Sequence, residues 1–340
     1  MSRPGTMRAL SAALLAIGLC TGVAGCTALA ESAAAGDGAC TPALPSEPIA
    51  GLGVEGRPGD APRIRWTEPQ RPSAPAVQRL GTGSGLPVTP NGVFEGAFTL
   101  VDGGSGRELL PYGPLAVDER GAAAPITAVT LELRLPGLAR ALRCAAAGER
   151  VLALLPGPEL LPVGPGGLLD GDAPETVLAV VDLLRVYPSG ASGTALPPHE
   201  GFPAVVTAPD GHPGVTVPER EPPLRMRSAE TIRGYGSLVR SGQRLTLHVS
   251  VHAWSDGDLL GSTRTAGGGV LRAPATADGW NDGLFGATPE LAGRRVGSQL
   301  VVIVPAEQAA AAPGPVRGGR LDGQALVLVV DVLAADPLSP

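Results

Sequence analysis

Few side chains in this chain are suited to chemistry, and the spacing of each group limits what it can do. His248 and His252 fall on one side of the alternating run Leu245-Thr-Leu-His-Val-Ser-Val-His-Ala253, with Asp256 close behind. Imidazole and carboxylate are metal ligands, but two histidines are half of a tetrahedral set. The side of a strand opposite its apolar residues is normally solvated, so both are expected to face water. Asp170-Gly171-Asp172 and Asp256-Gly257-Asp258 carry paired carboxylates without the ligand spacing of a calcium loop, and Asp-Gly is itself a turn signal. Gly51-Leu-Gly53-Val-Glu-Gly56 has the glycine spacing of a dinucleotide loop, yet no strand leads into it. His199 and His212 lie in a Pro- and Gly-rich stretch, and no nucleophile elbow precedes a helix, so no Ser-His-Asp set assembles. Neither a metal nor a cofactor is expected.

Cysteine offers more. Arg3 and Arg8 precede an apolar run over residues 9–19, and small residues lead into Val23-Ala24-Gly25-Cys26. A basic start, a short apolar core and a small-residue cleavage site mark a secretory signal, too short to stay as a spanning helix. Cysteine directly after Val-Ala-Gly resembles the bacterial lipobox, which implies cleavage after residue 25 and a lipid on Cys26. The expected location is the extracytoplasmic face of the cell membrane, held by that anchor. Cys40 and Cys144 remain, and an oxidising compartment favours a disulfide between them over two free thiols.

All 26 basic residues are arginine, and the net charge is −6. No arginine cluster is interleaved with aromatics, which argues against nucleic acid. Only ten aromatic residues occur (four Phe, three Tyr, three Trp), a scarcity that limits any ring-lined pocket.

Residues 26–76 lack periodicity and are rich in Ala, Gly, Pro and Ser, as in a flexible tether. Residues 189–222 read as a Pro/Gly-rich connector. Between and after them lie two segments, 77–188 and 223–336, that are copies of one another. Gly137/Gly286, Leu142/Leu291, Gly148/Gly297, Pro156/Pro305 and Asp182/Asp331 are each 149 residues apart. One constant offset over five landmarks indicates duplication. Upstream the register shifts: Gly81-Thr-Gly-Ser84 pairs with Gly234-Tyr-Gly-Ser237, and Asp102-Gly103 with Asp256-Gly257.

Each copy is expected to be α+β: a twisted antiparallel sheet folded over one short helix. Leu245, Leu247, Val249, Val251 and Ala253 alternate as in a half-buried strand, and 300–304 and 325–333 are aliphatic runs suited to central strands. Leu138, Ala141, Leu142 and Ala145 repeat at helical spacing, closed by Gly148; in the second copy Thr288 is the candidate N-cap, followed by Pro289.

This order resembles the FKBP-type peptidyl-prolyl isomerases over roughly residues 78–336. Val296-Gly-Ser-Gln-Leu-Val-Val-Ile-Val-Pro305 is similar to that family's strand after the helix, and Leu326-Val-Leu-Val-Val-Asp-Val-Leu333 to its last strand. Ala208-Pro-Asp-Gly-His-Pro-Gly-Val-Thr-Val-Pro218 is similar to a connector in tandem-domain lipoproteins of the family from actinobacteria. The resemblance implies two FKBP-like domains, unfolded or proline-containing exported polypeptides as partners, and rotamase chemistry.

Rotating a prolyl amide means crossing a barrier of about 18–20 kcal/mol set by resonance. A rotamase lowers it by binding the twisted, less polar amide in a desolvated pocket, which in this family is lined by aromatics. Here the family tyrosine on the alternating strand becomes Val249, and the Phe-Asp pair becomes Leu260-Gly261. The tryptophan at the helix start becomes Ala287 (Leu138 in the first copy). A later tyrosine falls near Ala310, and a phenylalanine on the last strand falls on Leu328 (Ala179 in the first copy). A second alignment keeps Trp280 as the pocket tryptophan but needs seven extra residues before Gly297. Three readings follow: a weak isomerase, a peptide-binding module without turnover, or a structural surface lipoprotein. In the first copy Phe94 and Phe98 are read as ordinary core packing, with a remnant pocket as the alternative; any residual ligand contact is expected in the second copy, at Trp254 and Trp280.

Overall fold

The computed structural model describes residues 40–67, 69, 74–160, 174–265, 269–275, 283–311, 314 and 323–337. The leader 1–25, Cys26, Asp170-Gly171-Asp172 and Trp280 lie outside the described residues.

Strands β1 (Leu52–Glu55) and β2 (Arg63–Trp66) form an antiparallel hairpin. Then come β3 (Ala76–Leu80), β4 (Ser84–Pro87), β5 (Val93–Asp102), β6 (Glu108–Pro114) and β7 (Ile126–Thr127). Helices α1 (Ala128–Arg134) and α2 (Pro136–Leu142) lead to β8 (Ala146–Ala147), β9 (Arg150–Pro156), the single turn α3 (Gly157–Leu160) and β10 (Thr176–Tyr187). The main sheet runs β3-β9-β10-β5-β6, antiparallel throughout.

The second half contains β11 (Gly193–Ala195), β12 (Ala204–Thr207), β13 (Pro213–Thr216), β14 (Arg227–Gly234), β15 (Gln243–Ala253), β16 (Leu259–Ser262) and β17 (Leu271–Pro274). A 3-10 turn at Thr288–Leu291, β18 (Gln299–Val304), α4 (Ala306–Ala311) and β19 (Leu326–Pro337) complete it. Its sheet runs β11-β14-β18-β19-β15-β16. Apart from the added edge strand β11, this is the strand order of the first sheet.

The register repeats as well. Asp182 opposes Arg150 and Val177 opposes Leu155; 149 residues on, Asp331 opposes Gln299 and Leu326 opposes Val304. On the neighbouring strands Phe98 opposes Val181 and Val249 opposes Val330, an offset of 151. Each last strand is buried on both faces, which explains its unbroken aliphatic sequence. Val177, Ala179 and Val181 enter the helix-side core, and Leu178 and Val180 a second cluster on the outer face.

What covers that outer face departs from the expected tether and connector. Residues 40–66 are not flexible chain. Leu52, Val54, Ile64 and Trp66 of the first hairpin pack on Leu152, Leu154, Leu178 and Val180. In the connector, β12 and β13 form a second hairpin whose Val205 and Val215, with Val217 and Phe202, pack on Val301, Ile303 and Val327. Val54 opposes Ile64 as Val205 opposes Val215, again 151 residues on. Pro58/Pro209 and Pro62/Pro213 keep that offset. The duplicated unit therefore includes its hairpin. Four-residue strands embedded in Gly and Pro are too short to show against that composition.

The helices also differ from expectation. Helix α2 begins at Pro136, buries Leu138, Ala141 and Leu142, and stops before Cys144, whose φ of 67° is left-handed. Cys144 is bonded there to Cys40, so the chain turns before the helical periodicity ends and Gly148 caps nothing. At the matching place in the second half a 3-10 turn forms, with Ala287 rather than Thr288 as its N-cap. Phe285 and Gly286 just before it both have positive φ, which leaves no helical lead-in.

Candidate functional site

The structure brings the sequence-derived pocket positions of the second half together. Val249 points inward from β15, Leu328 from β19 opposes Val251 and Val302, and Ala287 precedes the 3-10 turn. All three belong to one core cluster and are 1%, 0% and 0% exposed. Leu260 packs on the rim of that cluster, and Gly261 pairs with Val251 across β15 and β16. Ala310, in the later tyrosine position, is exposed on α4. Among the described residues, these positions form packed aliphatic core rather than an open aromatic slot.

Phe285 is the ring that occupies this core. It is 1% exposed, and its carbonyl accepts the Gln308 Nε2–H at 2.9 Å. A Cβ added at Gly314 would land inside the Phe285 ring, so only glycine lets the chain pass there.

The first half differs at one point. The β5/β10 register makes Phe98 the counterpart of Val249. Phe98 and Phe94 sit in a core with Leu138 and Ala179, flanked by half-buried Leu109 and Leu110. The first copy thus keeps an aromatic ring where the second has valine. The downstream offset of 149 pointed two residues away, and only strand pairing shows the match.

Trp254 is not near this core. It lies on the outer face among Val301, Ile303, Val327 and the second hairpin, and its Nε1–H donates to the Arg220 carbonyl at 3.0 Å. Its packing and its hydrogen bond give it a structural task, fastening the hairpin.

Two charged centres lie between sheet and hairpin, and sequence reasoning missed both. Arg150 donates to Asp182 through Nε at 2.6 Å and Nη2 at 2.8 Å, with both side chains buried. Its remaining donors reach the carbonyls of Glu55, Gly56, Arg57 and Asp60 in the first hairpin. The Tyr112 hydroxyl donates to Asp182 at 2.6 Å, and burial together with that carboxylate raises its pKa. The hydrogen bond to Asp182 likewise raises that of Arg150. In the second half Asp331 accepts from Gln299 Nε2 at 2.9 Å and from Arg264 Nη2 at 2.5 Å.

The expected solvation of His248 and His252 is also corrected, since they are 3% and 2% exposed. His248 Nδ1 lies 2.9 Å from Thr263 Oγ1, and His252 Nδ1–H donates to the Gly257 carbonyl at 3.0 Å. Burial, reinforced by Arg264 and His212, pushes the His248 pKa down to about 3; burial also lowers that of His252. Neutral imidazoles could ligate a metal, but no group of three ligating side chains surrounds them among the described residues. Asp102 and Asp256 act as turn residues: Asp102 accepts the Gly104 N–H and Asp256 the Asp258 N–H.

No protein-family model matches the chain, and no curated protein is significantly similar to it. Several solved structures are similar in part, among them one named for FKBP domains and one named as a peptidyl-prolyl cis-trans isomerase. The three FKBP domains of wheat FKBP73 match at 11% identity and a TM-score of 0.32, over 78% of this chain and 96% of that one. A peptidyl-prolyl cis-trans isomerase from Pseudomonas syringae matches at 14% identity and 0.25, over 33% and 75%. Escherichia coli FkpA matches at 17% identity and 0.26, over 41% of this chain and 53% of its own length. At scores this low the likeness does not establish a family.

Proposed function

We propose that this chain is an extracytoplasmic lipoprotein, anchored through lipid on Cys26 after loss of residues 1–25. In this reading its halves, 77–188 and 223–336, are FKBP-like domains that act on exported proline-containing polypeptides with slow isomerase turnover. Support comes from the family-like motifs at Val296–Pro305 and Leu326–Leu333, which fall on adjacent central strands of a sheet whose order and register occur twice. The observation that carries slow turnover is the burial of Val249, Ala287 and Leu328 as aliphatic core where the family has rings. Residual turnover is assigned to the first half, which keeps Phe98. Among the described residues no helix is long and apolar enough to cross a membrane.

A protease-coupled assay on a proline peptide tests this. The full chain should show weak turnover that Phe98→Leu lowers about tenfold, equivalent to about 1.4 kcal/mol of transition-state binding, and that Val249→Ala leaves unchanged. Fast turnover, or loss on Val249→Ala alone, would reverse the assignment. The packed core of the second half also favours a second reading, peptide binding without turnover. Chemical-shift changes on adding a proline-containing peptide to an inactive protein would select it, and their absence would leave a structural role. Labelled palmitate that enters the wild type but not Cys26→Ala tests the anchor.

A further inference from the structure

Where the second hairpin, the outer face of β15 and the first half meet, there is a small cleft. Its floor is His248, 3% exposed, whose Nε2 is buried and has no hydrogen-bond partner among the described residues. The tautomer follows from the neighbour. Thr263 Oγ1 accepts the Val249 N–H at 3.0 Å, and its own hydrogen has His248 Nδ1 at 2.9 Å as a nearer acceptor than the Val249 carbonyl at 3.4 Å. Nδ1 is then the acceptor, and Nε2 carries a hydrogen with nothing to receive it. Buried donors are rarely left so, because each costs about 1–3 kcal/mol.

The surrounding charges say what would satisfy it. The buried Arg264 guanidinium lines the same cleft, and His212 stands at its side. The nearest carboxylate on the rim, Asp210, is engaged with His212: it accepts the His212 N–H at 3.0 Å and lies 3.4 Å from Nδ1. Asp331, across from His248 in the β15/β19 register, is held by Arg264 and Gln299. Asn91 and Thr127 of the first half close the other wall, with Asn91 Nδ2 donating to the Asp210 carbonyl.

We propose that this cleft binds a small monovalent anion of halide size, received by the His248 Nε2–H beside Arg264. The cleft draws on both halves and the hairpin, so occupancy should stabilise their docking.

The test is 35Cl NMR on the full chain at constant ionic strength, with gluconate as the balancing anion. The wild type should broaden the chloride line saturably at pH 7.5. His248→Gln, with folding checked by circular dichroism, should lose most of the saturable broadening. At chloride ten times the dissociation constant, Tm should rise by about 2–4 °C in the wild type only. Absence of saturable broadening in the wild type overturns the proposal, and so does its full retention in folded His248→Gln. If that variant does not fold, His212→Ala at the rim should weaken the broadening, and unchanged affinity there overturns it equally.

Discussion

Arg150 and Asp182 form an ion pair with both side chains out of water, and the first hairpin wraps its loop carbonyls around the guanidinium. The second half keeps the aspartate, Asp331, exactly one repeat away but not the arginine: Gln299 stands in that place, and Arg264, just past β16, supplies the charge instead. Arg264 also donates to the Ser189 carbonyl at 2.7 Å. An aspartate beneath a hairpin needs a cation, and each half supplies one from a different element, β9 in the first and the turn after β16 in the second.

Removing one member of such a pair strands a buried charge. Arg150→Met is expected to cost about 3–5 kcal/mol, because Asp182 loses its cation and four hairpin carbonyls lose their donor. Urea denaturation would show a lower midpoint. Adding Asp182→Leu to Arg150→Met should recover part of the loss. A single variant within about 1 kcal/mol of wild type would show that the pair does not hold the hairpin.

The Cys40–Cys144 disulfide closes a separation of 104 residues and fixes the segment before the first hairpin to the end of α2. For a loop of about 100 residues the chain-entropy estimate is about 4–5 kcal/mol. Cys40→Ser with Cys144→Ser should therefore lower stability by up to that amount, read from denaturation with and without reductant. If reductant shifts the wild-type midpoint as far as the double variant does, the bond accounts for the whole difference.

Much of this architecture is legible in the sequence because it rests on long-range periodicity. The 149-residue offset reappears in the pairing of β9 with β10 and of β18 with β19, residue for residue. Val249, Ala287 and Leu328 do converge in one core. What escaped notice is short or depends on pairing. Two-residue alternation at Leu52/Val54 and Val205 is swamped by Gly and Pro. The equivalence of Phe98 and Val249 needs the β5/β10 register. The fate of His248 and His252 turns on a hairpin that covers the face they occupy, and no strand pattern reports what lies above it.

Those histidines give the protein an acid-sensitive window. His248 has a folded pKa of about 3 against about 6.5 unfolded, so below pH 6.5 the unfolded chain binds the proton first. Its contribution is complete above about pH 6.5 and is lost as pH falls, at about 1.4 kcal/mol per pH unit well below that point. His252, shifted the same way, adds to the slope. Asp102 and Asp210 have lowered pKa values and act only nearer their ordinary range, below about pH 4. Unfolding free energy measured from pH 7 to 4.5 should fall in the wild type and fall less steeply in His248→Gln. Equal slopes would mean that His248 is already protonated in the folded protein.

Trp254 links the second hairpin to its sheet in two ways. It combines apolar contact with Val301, Ile303 and Val327 and a hydrogen bond to the Arg220 carbonyl just after the hairpin. Trp254→Ala should cost about 3–5 kcal/mol, the usual range for emptying a buried aromatic site. The loss should be local: limited trypsin digestion should cut at Arg220 and Arg225, which follow the freed hairpin, before the sheets open. Trp254→Phe keeps most of the apolar contact but removes the indole donor, and it should show a smaller version of the same cleavage. Because this residue lies on the face opposite Val249 and Leu328, neither variant should change affinity for a proline-containing peptide except through loss of folded protein. A selective loss of peptide binding in folded Trp254→Phe would place the ligand on the hairpin side and undo that separation of roles.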